Sequence, residues 1–172
     1  MLPFKIAPKD ISQVLNIIVC NPRLRLYIPS CFVLMSNKTE SSYAMALECL
    51  KQVALSLKLS LSPTLVMTDF EPALRNGIKN SFPNAQISGC YFHYTKCLWN
   101  KISKLCLRTK ELKEKFNVLV SYLQILTHCK PEIREELFLY IKQIYQKPGV
   151  NKLYKMFLTY FQNNWAEKSF FG

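Results

Sequence analysis

PTLVMTDFEPALRNGIKNSFPNAQISGCYFHYTKCLWNKI, residues 63–102, decides the fold. Pro63 opens TLVMTD, a short apolar run rich enough in β-formers to be a buried strand, ending at Asp69. FEPALRNGIKNSF follows with Ala73, Leu74 and Ile78 at helical spacing, and Pro83-Asn84 breaks it. AQISGC is a second short strand, and from Tyr91 a helix runs through YFHYTKCLWNKISKLCL. Strand, helix, strand, helix in this order implies an α/β layer with parallel pairing.

On the upstream side, Val14–Cys20 (VLNIIVC) and Leu24–Met35 (LRLYIPSCFVLM) are apolar runs separated by Asn21-Pro22, the pattern of an antiparallel hairpin. SNKTESSYAMALECLKQVALSL then carries Thr39 or Ser41 as a cap and apolar positions 43, 46, 47, 50, 53, 54 and 57 at helical spacing. Downstream the pattern is all helical. One helix has apolar positions 112, 116, 119, 120, 123 and 126, a second opens at Pro131 with Glu132, Glu135 and Glu136 near its positive end, and KLYKMFLTYFQNNW closes the series. The expected strands are 12–20, 25–35, 63–68 and 85–90. The expected helices are 40–58, 70–82, 91–107, 110–127, 131–146 and 150–165.

Composition narrows the function. The chain has 172 residues, 49% hydrophobic and 13% aromatic, which suits a packed domain and excludes intrinsic disorder. Four glycines and the lack of GxGxxG or GxxxxGK[ST] exclude a glycine-rich phosphate loop. Lys+Arg 23 against Asp+Glu 11 gives +12, which favours a polyanionic partner, most simply nucleic acid. A basic but inert surface is the alternative. Seven cysteines without a CxxC, and an opening MLPFKIAPKD with no apolar signal core, imply reduced, buried thiols in an intracellular compartment. No apolar run approaches the roughly 20 residues of a membrane helix.

Three groups of residues bear chemistry. Asp69, one of two aspartates in the chain, stands at the carboxyl end of a strand, where open α/β sheets collect ligands; it either binds Mg²⁺ or caps the following helix. Cys90 and His93 make a C-x-x-H, with Cys97 one turn further on; they supply zinc ligands or else serve as a buried cysteine and a capping or DNA-contacting histidine. Lys96, Lys101, Lys104, Arg108, Lys110, Lys113 and Lys115 lie among Tyr91, Phe92, Tyr94 and Trp99. That cluster either tracks phosphates or is a solvated face, with the aromatics expected in the core.

The 63–102 stretch resembles the middle of the catalytic domain of Mutator-like element (MULE) transposases. The likeness rests on a strand ending T-D-x-E (Thr68, Asp69, Glu71), a helix ending in Phe82-Pro83, and G-C-x-F-H at Gly89, Cys90, Phe92 and His93. FKIAPK (4–9), LMSNKTESSYAMAL (34–47) and LTYFQNNW (158–165) extend it over most of the chain. The resemblance implies a ribonuclease H-like mixed sheet followed by an all-helical region, divided as 1–108 and 109–172. It also implies a nuclear protein acting on DNA, with three carboxylates holding two Mg²⁺ or Mn²⁺ ions. Asp69 matches the second carboxylate. The place of the first is taken by Met1 in MLPFK, and the third is expected beyond Gly172. The resemblance therefore implies a fragment or degenerate copy, catalytically inactive as this chain, or else a recruited nucleic-acid- or protein-binding module. In such a sheet the first strand is central and would here be largely missing, so the isolated chain is expected to be marginally stable or self-associating.

Overall fold

The computed structural model describes residues 10–21, 23–105, 110–147 and 152–166. Its elements are β1 (Gln13–Asn21), β2 (Leu26–Met35), α1 (Glu40–Ser56), β3 (Leu65–Thr68), α2 (Pro72–Ser81), β4 (Gln86–Gly89), α3 (Tyr91–Leu105), α4 (Lys110–Ile125), α5 (Pro131–Tyr145) and α6 (Lys152–Phe161). Every strand and helix expected from the pattern is present, within a few residues. A 3₁₀ turn, Leu126–His128, extends α4, and a π-helical turn, Gln162–Ala166, extends α6.

The hydrogen bonding corrects the expectation of one mixed sheet. Among the described residues the strands form two separate two-stranded sheets, β1 with β2 and β3 with β4. β1 and β2 are antiparallel, Gln13 opposite Met35 through Asn21 opposite Leu26. β3 and β4 climb together, Gln86 N–H donating to the Thr64 carbonyl at 2.9 Å and Cys90 N–H to that of Thr68 at 2.8 Å, so this pair is parallel. A strand bonded to both pairs, as a ribonuclease H-like sheet requires, is not among the described residues, and the hairpin does not close onto β3 in its stead.

The chain folds as two compact units. The first comprises residues 1–66 and 71–86, the second 67–70 and 87–172. Helix α3 goes with the other helices of the second unit.

In the first unit the hairpin turn is set by Asn21, whose Oδ1 accepts from the N–H groups of Arg23 at 3.1 Å and Leu24 at 3.2 Å, while Arg25 takes a left-handed φ of 51°. Pro22 lies outside the described residues. The register slips between Ile17 and Ile18, which face Cys31 and Pro29, so Ser30 is the extra residue of a bulge. Pro29 has no N–H to give a ladder, and a bulge is where a sheet tolerates that. α1 starts as expected, with Thr39 Oγ1 accepting from Ser42 N–H at 3.3 Å. It ends with Leu59 N–H reaching the Ala54 carbonyl and Lys58 N–H the Leu55 carbonyl, both at 2.9 Å, which forces Lys58 to φ 59°. The buried apolar residues are Met35, Tyr43, Leu47, Ile78 and Phe82. α2 comes so close to α1 that a Cβ on Gly77 would lie 2.9 Å from Tyr43 Cβ and 3.3 Å from two backbone atoms, Ala44 N and the Glu40 carbonyl oxygen.

The second unit is built on apolar stripes of four helices: Tyr94, Leu98 and Ile102 from α3; Phe116, Leu119, Val120 and Leu123 from α4; Phe138 and Ile141 from α5; Phe157, Leu158 and Phe161 from α6. Arg134 ties α5 to the end of α4, its guanidinium donating to the carbonyls of Leu126 at 3.0 Å and Cys129 at 3.1 Å. The thiols depart from expectation. Cys20, Cys31, Cys49, Cys90, Cys97 and Cys129 are all free, but none is buried, and Cys20 and Cys49 are exposed. Cys49 falls on the side of α1 away from Tyr43 and Leu47, and Cys20 lies on the hairpin where it leaves the core. Among the described residues no helix is long and apolar enough to cross a membrane.

Two substitutions test this packing. Gly77→Ala gains about 1 kcal/mol of helix propensity but loses about 1–3 kcal/mol by overpacking against atoms that cannot rotate away, so urea unfolding should show a net loss. Lys58→Gly relieves a left-handed backbone costing roughly 1–2 kcal/mol, and the same measurement should show a gain near the lower figure, since glycine loses more backbone entropy.

Candidate functional site

The site lies at the carboxyl ends of the parallel pair. The Cys90–Thr68 bond sets Asp69 and Cys90 side by side as the two strands run out. Cys90 also accepts the first helical bond of α3, from Tyr94 N–H at 3.0 Å, so His93 falls in the first turn of that helix and Cys97 one turn on.

Asp69 does not occupy the cap position. α2 begins at Pro72 with Glu71 in the N-cap place, where its side chain makes no cap bond and Glu71 Oε1 instead accepts from the Tyr43 hydroxyl at 3.1 Å. The T-D-x-E motif thus sends its two carboxylates to different partners. Asp69 makes itself felt at Cys97: burial pushes that thiol up, Lys96 pulls it down, and the Asp69 charge pushes it up. Phe70, the next residue, stands edge-on to Trp165 at 4.7 Å, and Trp165 stands edge-on to Tyr94 at 5.0 Å. Three rings therefore fix the backbone beside Asp69 against the helical core. Tyr94 is fully buried and donates its hydroxyl to the Leu123 carbonyl at 2.8 Å, and that burial, with Tyr91 adding to it, holds the phenol neutral.

His93 is half-buried, its Nδ1 is shut off from solvent without a hydrogen-bond partner, and its ring meets Phe92 edge-on at 5.6 Å. The other histidine, His128, is exposed beside Tyr91, with ring centres 5.5 Å apart. Among the described residues no three His, Cys, Asp or Glu side chains gather as a metal site. Zinc needs three or four protein ligands, and each hard divalent ion needs several anionic oxygens. The described donors therefore do not fit a zinc ion at Cys90 and His93 or a pair of Mg²⁺ or Mn²⁺ ions at Asp69.

The basic cluster divides. At 100° per residue, and taking Lys96 as zero, Lys104 falls about 80° round α3 and Lys101 about 140°, next to the core stripe of Tyr94, Leu98 and Ile102. Lys104 is exposed and Lys96 partly so, whereas the Lys101 ammonium lies over the Tyr160 ring, 4.8 Å from its centre. Arg108 and the side chains of Lys110, Lys113 and Lys115 lie outside the described residues. The aromatics divide too. Tyr94 and Trp99 pack in the core as expected, while Tyr91 and Phe92 are exposed, a correction that follows from their place in the first turn, ahead of the stripe.

Sequence reasoning missed the Tyr43–Glu71 bond and the Phe70–Trp165–Tyr94 stack. Nothing local signalled either, because Tyr43 is 28 residues from Glu71 and Trp165 is 95 residues from Phe70 in the chain.

The MULE transposase domain matches residues 9–97, a stretch that runs from the hairpin to Cys97 and holds Asp69, Cys90 and His93. No curated protein and no solved structure matches the chain. With just over half of its residues matched, the chain belongs to the MULE transposase domain family.

Proposed function

We propose that this chain, by itself, is a transposase-derived DNA-binding domain that does no phosphoryl transfer of its own. The observation that carries the reading is that among the described residues no three His, Cys, Asp or Glu side chains gather as a metal site, at Asp69 or elsewhere. In-line attack on a phosphodiester in this family would draw on a divalent metal pair, which polarises the phosphate and supplies the nucleophile. One carboxylate gives too few oxygens to hold such a pair in register. What the chain retains is charge: +12 overall, with Lys96 and Lys104 accessible on α3.

A second reading, self-association, is favoured by the hairpin's outer face. Val14, Asn16, Ile18 and Cys20 share that face with their partners Leu34, Phe32, Pro29 and Tyr27, and Ile18, Phe32 and Leu34 are 51%, 64% and 59% exposed. The face has one polar residue and no charge, so copies of a basic chain can meet there without repulsion.

The purified chain should not nick supercoiled DNA in Mg²⁺ or Mn²⁺, and Asp69→Asn should change nothing; metal-dependent nicking abolished by Asp69→Asn would overturn the reading. Binding to duplex DNA should be independent of sequence and steeply weakened by salt. Lys101→Glu, Lys104→Glu and Arg108→Glu together should lower the slope of log affinity against log salt by about 0.9 for each phosphate that is no longer neutralised. Light scattering should show concentration-dependent association that Phe32→Ser with Leu34→Ser removes.

A further inference from the structure

The hairpin extends beyond the part of its unit that buries it. Its base is held by Met35, which is buried, and by Gln13, which donates to the Tyr43 hydroxyl at 2.6 Å. Past the slip at Ile17/Ile18, every described residue from Ile18 round the turn to Ser30 is exposed except Asn21, whose side chain is engaged in bracing the turn. The outer half of the hairpin is therefore an arm, its turn braced by Asn21.

That tip reads Arg23-Leu24-Arg25, with Leu24 64% exposed, and Tyr27, 74% exposed, begins the return strand. Between Ile11 and Thr39 the chain has no acidic residue, so no side chain of the hairpin itself neutralises the two guanidiniums. This separates the tip from the uncharged face nearer the base. Two tips meeting would bring four like charges together, whereas a polyanion is attracted. A two-stranded ribbon fits a DNA groove, guanidiniums suit the phosphates along its walls, and an apolar side chain at the tip can enter between base steps.

Resting on the DNA-binding reading above, we propose that the hairpin arm is a DNA-contacting element: Arg23 and Arg25 lie on backbone phosphates, and Leu24 is a wedge that kinks the duplex. The partner class is double-stranded DNA, read by shape and charge rather than by base edges.

The test uses the full chain and a mixed-sequence duplex of roughly 30 base pairs with a dye at each end, so that salt-dependent affinity and a kink of ~20–90° are read on one sample. Arg23→Gln with Arg25→Gln should lower the log–log salt slope by about 2, at about 0.9 per phosphate, and Arg23→Lys with Arg25→Lys should restore it. Lys130→Gln with Lys147→Gln, two exposed lysines of the second unit, should leave the slope unchanged. Leu24→Ala should keep the slope and lose the end-to-end energy transfer that reports the kink. If the native chain binds no DNA, both readings are overturned. If it binds and the arginine pair leaves the slope intact, or the control pair lowers it as much, the arm is overturned and DNA binding stands. A kink surviving Leu24→Ala overturns the wedge. If the arginine pair alters only the association state by light scattering, the occupant is a second copy and the proposal is overturned.

Discussion

The Tyr43 hydroxyl is where the first unit is joined. Its ring is wholly buried, so the oxygen has to be satisfied inside the protein, and it is satisfied from two directions: it accepts from Gln13 on β1 and donates to Glu71 ahead of α2. A buried hydroxyl left without such partners costs about 1–3 kcal/mol, a large share of the stability a domain this small can hold. The same residue sets the spacing of α1 and α2, because its Cβ stands where a side chain at position 77 would begin. Asn76 and Asn80 then bond from α2 to the Glu40 carboxylate at 3.0 and 2.9 Å, and these polar contacts at the edge follow from the close approach at the centre. The hairpin base, α1 and the entry to α2 are thus one coupled arrangement, and the outer half of the hairpin, which shares none of it, is left as an arm.

The second unit uses the opposite means. Its stability comes from rings and branched side chains in the middle of four helices, and the one buried phenol on α3, Tyr94, is satisfied by a carbonyl of α4. The short segment Met67–Phe70 goes with these helices through Phe70, which stacks on Trp165. Asp69 is therefore placed by the packing of its neighbour Phe70. Its fixed position follows from packing, and the identity of its neighbours follows from which other side chains the chain brings to that strand end.

Elements were legible in the sequence wherever periodicity and punctuation agreed. Pro63, Pro83-Asn84 and Pro131 bracket β3, α2 and α5 because proline cannot continue what precedes it, and Thr39 marks α1 because its hydroxyl replaces a missing helical partner. The two pairings were legible too, the β1–β2 hairpin from its turn and the parallel β3–β4 pair from its alternation with helices, but not that the two pairs stay separate. Whether one pair bonds to the other depends on distant segments, and the apolar character of VLNIIVC does not say whether its outer face is covered. The same blindness affected the aromatics: YFHY contains a buried Tyr94 and an exposed Phe92 two residues away, and only the core stripe of the finished helix separates them. Of the site, the positions of Asp69, Cys90, His93 and Cys97 were readable from spacing. The diversion of Glu71 to Tyr43 was not, since it depends on the turn between β3 and α2.

On the proposed reading, family membership and chemistry part company at Asp69. A match over residues 9–97 carries positions, and positions are what packing preserves: the strand end, the turn, the first helical turn with Cys90 and His93. Catalysis by paired metals needs something packing alone does not enforce, several carboxylates converging within a few ångströms at a cost in mutual repulsion that the metals must offset. Where that convergence is absent, the repulsion is absent too, and the strand end is easier to fold. Surface charge obeys a different rule. Lysines and arginines on α3 and the hairpin tip need no convergence, cost the fold little, and act at a distance of about 8–10 Å at ordinary salt. Attraction to a polyanion therefore tolerates changes in individual residues that catalysis could not, and the proposed function, binding without catalysis, rests on that difference.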